Sequence, residues 1–83
     1  MEIKDLKKLK AVRAAAADGQ ARKTRVDAGV TQGEVAEAVG VAQSTVAQWE
    51  RGARRPRGLV ALRYAAVLKA LEDGAPTPSK DDG

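Results

Sequence analysis

Apolar residues recur along this chain at helical spacing. Ile3, Leu6, Leu9, Val12 and Ala16 make one stripe over residues 2–17, with Lys4, Lys7, Lys8 and Arg13 on the other face. The alanine run that closes this segment is strongly helix-forming. Asp18-Gly19 breaks it, and Asp18 is placed to cap a second helix from about Gly19 to Ala28. Thr31 with Glu34 three residues later is a capping-box pattern, so a third helix begins at Gln32. Its apolar face is Val35, Ala36 and Val39, and Gly40 stops it, since glycine enters the left-handed conformation cheaply.

Val41 reads as an apolar turn residue. A fourth helix follows from Ala42 or Gln43 to Arg51, with Val46 and Trp49 inward, Ala42 one turn earlier, and Gly52 at its end. Residues 52–57, which include Pro56, form a loop. The last helix runs from about Gly58 to Leu71 and turns Ala61, Tyr64, Ala65 and Leu68 inward. From Glu72 to Gly83 the chain lacks apolar content and carries Gly74, Pro76 and Pro78, so a disordered tail is expected. No run alternates with period two, and no strand is predicted. The expected fold is all-α, a compact five-helix bundle.

The third and fourth helices are short and joined by a tight turn, the pattern of a helix-turn-helix. Ala36 lets the two approach closely. The exposed face of the fourth helix is Gln43, Ser44, Ala47 and Gln48. These are small or uncharged donor–acceptor groups, unlike the Lys and Glu of an ordinary solvated face.

Composition narrows the functions open to such a fold. Eighty-three residues make one domain with a small core. With 43% hydrophobic but only 2% aromatic residues, that core must be built from small side chains packed tightly. There is no cysteine for a disulfide and no histidine for a general base or metal ligand. No paired carboxylates stand in an apolar setting either, so neither an enzyme nor a metal or cofactor site is expected. No apolar run reaches the length of a membrane span or signal peptide, so a cytoplasmic, nucleoid-associated protein is expected. The net charge of +4 suits nucleic acid, and its distribution says more. Arg51, Arg54, Arg55 and Arg57 directly follow the fourth helix, where they would face phosphates beside a groove. The blander reading of the same cluster is an arginine-rich solvated loop.

Residues 20 to 71 resemble the phage repressor and Cro type of helix-turn-helix domain, also used in bacterial regulators and antitoxins. The resemblance is carried by Arg25, Ala28-Gly29-Val30-Thr31-Gln32, Glu34, Ala36 and Gly40-Val41. It continues through Ser44-Thr45-Val46, Trp49-Glu50-Arg51-Gly52, Arg55-Pro56, Ala65 and Leu68. It implies that Gln43 and Gln48 project into the major groove, where glutamine can pair bidentately with adenine. Ser44 and Ala47 match neighbouring groove-facing positions, Ser44 for a base or a phosphate and Ala47 for a thymine methyl. By the same resemblance Thr45 would point partly toward a phosphate. Gln32 and the free N–H groups at its helix start would hold another. Arg25 and Glu50 match positions that pair as a partly buried salt bridge, a role in holding the fold.

The chain departs from that family at both ends. Where members usually add a short fifth helix that often helps dimerisation, this chain has Glu72-Asp73-Gly74-Ala75-Pro76. The additional helix within residues 1–18 is expected to cover apolar surface such as Leu59, Val60, Leu62, Val67 and Leu71, within one chain or across a homodimer. A basic helix lying on DNA or on a membrane surface is the lesser alternative. The expected organisation is therefore an accessory helix at 1–18, the DNA-binding domain at 19–72 and a tail at 73–83. With no further domain expected, any regulation would come through concentration, dimerisation or a partner. The resemblance implies a Cro-like or repressor-like regulator on a palindromic double-stranded operator. Two other readings stay open: an antitoxin gripping a small protein partner, and a protein-interaction adaptor.

Overall fold

The computed structural model describes residues 2–74, and every regular element among them is helical. The elements are α1 (Ile3–Asp18), α2 (Gln20–Asp27), α3 (Gln32–Val39), α4 (Gln43–Glu50) and α5 (Gly58–Glu72). Local chemistry sets most of the boundaries. Thr31 Oγ1 accepts from the Glu34 N–H at 3.0 Å, while Glu34 Oε1 accepts from the Thr31 N–H at 2.9 Å, a complete capping box for α3. Gly40 ends α3 at φ 92°, and its N–H and that of Val41 both reach the Ala36 carbonyl, at 2.8 and 3.0 Å. The positive φ is what favours glycine there, since the nearest neighbour of an added Cβ, Arg63 Nη1 at 3.3 Å, is the end of an exposed, flexible side chain.

Two local expectations are corrected. Gly19, not Asp18, occupies the N-cap of α2; the Asp18 carboxylate still serves that helix by accepting from the Gln20 N–H at 2.9 Å. At the far end Glu72 is the last residue of α5, not the first of the tail. Asp73 and Gly74 close the helix through N–H bonds to Lys69 and Leu71 carbonyls, at 2.9 and 3.2 Å. The rest of the expected tail, 75–83, lies outside the described residues.

α3 and α4 pack against each other, α5 lies behind α3 and α2, and α1 packs on α5, α2 and α4. One apolar cluster runs through all five helices: Leu9, Val12 and Ala16 of α1, Ala21 of α2, Val35, Ala36 and Val39 of α3, Val46 and Trp49 of α4, and Ala61, Tyr64 and Leu68 of α5. Val35, Val39 and Val46 are almost fully buried, each contributing about 1.5–3 kcal/mol through the hydrophobic effect. Trp49 and Tyr64 stack with centroids 4.7 Å apart, tilted by 34°. Such pairs add about 0.5–1.5 kcal/mol beyond burial. Thus α1 is a full contributor to the core.

Its apolar stripe is only partly used. Ile3 stays 74% exposed and Leu6 52%, since the buried cluster begins at Leu9. Leu59, expected beneath α1, is 72% exposed. The α1–α5 groove is lined by Lys8, Ala11, Val12 and Ala15 against Ala65, Leu68, Lys69 and Glu72, so α1 meets the later turns of α5. Val60, Leu62, Val67 and Leu71 are partly covered. Ala42, placed near the apolar face of α4, is exposed as well.

The Tyr64 hydroxyl is buried with no hydrogen-bond partner among the described residues. Burial, and after it the charge of Glu50, pushes its pKa up to about 12 against the opposing effect of Arg25. A phenol whose pKa is raised on folding favours the native state fully below its unfolded value, near 10, and loses that contribution as pH rises to about 12. Alkaline melts are therefore expected to show a loss on the order of 2–3 kcal/mol across that window. In Tyr64→Phe this component disappears, and the melting temperature at neutral pH is unchanged or higher, since an unsatisfied buried hydroxyl is removed.

Candidate nucleic-acid interface

The face of α4 that looks away from the core carries Gln43 and Ser44, both exposed, and Ala47, Gln48 and Thr45, all partly exposed. Their direction follows from α4's apolar side: Val46 and Trp49 are buried, which turns positions 43, 44, 47 and 48 outward. The helix begins at Ala42, extended at φ −72° and ψ 151° with no side-chain cap.

Behind this face lies a hydrogen-bonded chain. Arg25 of α2 grips Glu50 of α4 with two N–H groups, Nε to Oε2 at 2.6 Å and Nη2 to Oε1 at 3.0 Å. The side chains are 12% and 3% exposed, so the pair is largely withdrawn from water. Arg25 Nη1 also donates to the Val30 carbonyl at 2.9 Å, which fixes the turn between α2 and α3. Gln32, the first residue of α3, donates from Nε2 to Glu50 Oε1 at 3.0 Å. Its own Oε1 accepts from Gln43 Nε2 at 3.4 Å. The Glu50 carboxylate thus joins α2, α3 and α4 and reaches the outward face through Gln32 and Gln43.

Burial by itself would raise the Glu50 pKa. Hydrogen bonds from Arg25 and Gln32, with the charges of Arg25 and Arg22, outweigh it and hold the value below the ordinary 4.5. Glu50 in turn raises the pKa of Arg25 by accepting its hydrogen bonds.

Arg51 caps the end of α4, and the loop beyond it is tied back to that helix. The N–H groups of Ala53 and Arg54 donate to the Gln48 carbonyl at 2.9 and 3.3 Å. Arg51, Arg54, Arg55 and Arg57 are all exposed, and none has a carboxylate within ion-pair distance among the described residues. The outward groups of α4 are thus uncharged, and the exposed arginines follow them directly along the chain.

A helix-turn-helix family model matches residues 22–72, from α2 to the end of α5. The chain belongs to the XRE, Cro and lambda-repressor type of helix-turn-helix family. Comparison with curated proteins and with solved structures found no match. As a member of that family the chain is a DNA-binding helix-turn-helix protein. Among the described residues no three His, Cys, Asp or Glu side chains gather to hold a metal ion, and no helix is long and apolar enough to cross a membrane.

Family resemblance marks Gln32 for a phosphate. Its amide also hydrogen-bonds Glu50 and Gln43, so Gln32 positions Gln43, the first residue of α4. Nothing in periodicity or capping signals that link, because it joins side chains 11 and 18 residues away.

Arg25→Ala or Glu50→Ala leaves a buried charge unpaired and is expected to cost about 3–5 kcal/mol in chemical denaturation. The depressed Glu50 pKa adds a pH signature. Its contribution is complete above the unfolded-state value near 4.5 and is lost as pH falls through the lower folded-state value. Acid titration of stability is expected to show this limb, weakened in Glu50→Gln. Ala42→Ser, supplying the missing cap at an extended and exposed position, is expected to raise stability by about 1 kcal/mol in the same assay.

Proposed function

We propose that this protein is a sequence-specific transcriptional regulator of the Cro or repressor kind, acting by occupying a promoter. One observation carries the reading. The outward face of α4 offers uncharged donor–acceptor groups, and the first of them, Gln43, is tethered through Gln32 to the buried Arg25–Glu50 pair. A glutamine aimed in this way can pair with adenine N6 and N7 without first losing much freedom.

In this reading Gln43, Ser44, Ala47 and Gln48 contact base edges. Gln32, Thr45, Arg51, Arg54, Arg55 and Arg57 hold the phosphates that set register. The target is a palindromic double-stranded operator read by a homodimer, with half-sites about one helical turn apart. Selection of sites from a random duplex library at near-physiological salt tests this directly. A two-fold symmetric consensus supports it; a single short half-site refutes the homodimer, and no enrichment refutes sequence-specific binding.

Individual roles separate by their sequence dependence. Gln43→Ala is expected to cost on the order of 1–3 kcal/mol on the selected site and to relax preference at one base pair. Equal losses on selected and random DNA would remove Gln43 from base reading. Arg55→Ala is expected to weaken all sequences alike and to lower the slope of log affinity against log salt by about 1.

A further inference from the structure

Arg13 lies on α1, nine residues before the segment that the family model matches, yet it is fastened to the arginine loop. Its Nε–H donates to the Pro56 carbonyl at 2.9 Å, a contact between residues 43 apart in sequence. That bond uses one of the five guanidinium donors. Among the described residues neither Nη1 nor Nη2 has a hydrogen-bond or carboxylate partner. A concavity at this place is lined by Arg13, Ala53, Arg54, Arg55 and Arg57, four arginines and no acidic residue. The adjoining groove shares Arg13, Arg54 and Arg55 and adds Lys10, one turn earlier on α1.

Like charges gathered this closely repel one another, and exposed arginine side chains are free to splay apart. Here a tertiary hydrogen bond holds one of them in place, with its free donors beside the others. Such an arrangement stabilises an anion and gains little without one. The loop is in turn bonded to the end of α4 through the Gln48 carbonyl, so the cluster keeps a fixed position relative to the base-reading face.

We propose that α1 is part of the DNA interface: Arg13, with Lys10 beside it, joins the Arg54–Arg57 loop in clamping backbone phosphate of the bound duplex. The inference rests on the DNA-binding reading of the loop and extends it to a helix outside the family domain. The contact positions the protein and carries no sequence information. Its occupant is backbone phosphate, so a duplex of random sequence suffices as the probe.

The test is fluorescence anisotropy of the full chain on such a duplex over a series of salt concentrations, with a thermal melt of each variant. Arg13→Gln is expected to lower the salt slope by about 1, the release expected for one lost phosphate contact. Arg13→Lys keeps the charge and is expected to keep the slope. Lys10→Gln, at an exposed position without a tertiary hydrogen bond, reads the same edge without disturbing the Pro56 contact, and its slope is expected to fall too. An unchanged slope in Arg13→Gln overturns the proposal, and if that variant is unfolded at the assay temperature an unchanged slope in Lys10→Gln does so. Equal loss in Arg13→Lys and Arg13→Gln also overturns it, since Arg13 would then act only by holding the loop. Arg55→Gln run in parallel separates the two levels. A lowered slope there with none at Arg13 rejects this inference alone, whereas an unchanged slope in both rejects the phosphate role of the loop itself.

Discussion

The bidentate bond between Arg25 and Glu50 is the constraint on which the rest of this structure turns. Helices of eight residues, such as α2, α3 and α4, are too short to be stable alone in water and depend on what they pack against. A purely apolar contact between them would favour burial without fixing direction. An arginine fork on a carboxylate fixes both distance and plane. Because Glu50 is also bonded by Gln32, and Arg25 by the Val30 carbonyl, the same few atoms hold the turn before α3, its first residue and the end of α4. Burying two charges is costly, and hydrogen bonds around them offset that cost.

The apolar core works under a different limit. One tryptophan and one tyrosine are the only aromatic residues of the chain, and most of the remaining buried side chains are valine and alanine. Small side chains let α3 and α4 approach closely, but each buries little surface. The family segment alone has about the size at which a single core becomes marginal. α1 answers this by adding Leu9, Val12 and Ala16 to the same cluster. It does so from its middle to its last turn, which leaves Ile3 and Leu6 exposed.

Charge is divided in keeping with these two demands. The carboxylate of Glu50 is spent inside, on the ion pair. The arginines of the loop stand outside with no carboxylate partner among the described residues, following a helix face built of uncharged groups. In the proposed reading such a surface separates the two parts of DNA recognition, with charge at the phosphates and hydrogen-bonding groups at the bases. Arg13 belongs by sequence to the helix that completes the core and by position to the charged surface.

What the amino-acid sequence determined by itself is local. Helix starts and stops follow from Thr31 with Glu34, from Gly40 and from apolar positions three and four apart, all interactions within a few residues. The outward row on α4 follows from the same periodicity, given Val46 and Trp49 inside. The Arg25–Glu50 pairing was legible only through family resemblance. Tertiary structure decided the rest: that α1 meets the later turns of α5 and leaves Ile3, Leu6 and Leu59 in water, that Gln32 bridges Glu50 and Gln43, and that Arg13 reaches Pro56. The reason is geometric. Periodicity says which side of a helix is apolar, but not how far along its neighbour that side will lie, and these contacts depend on the offset.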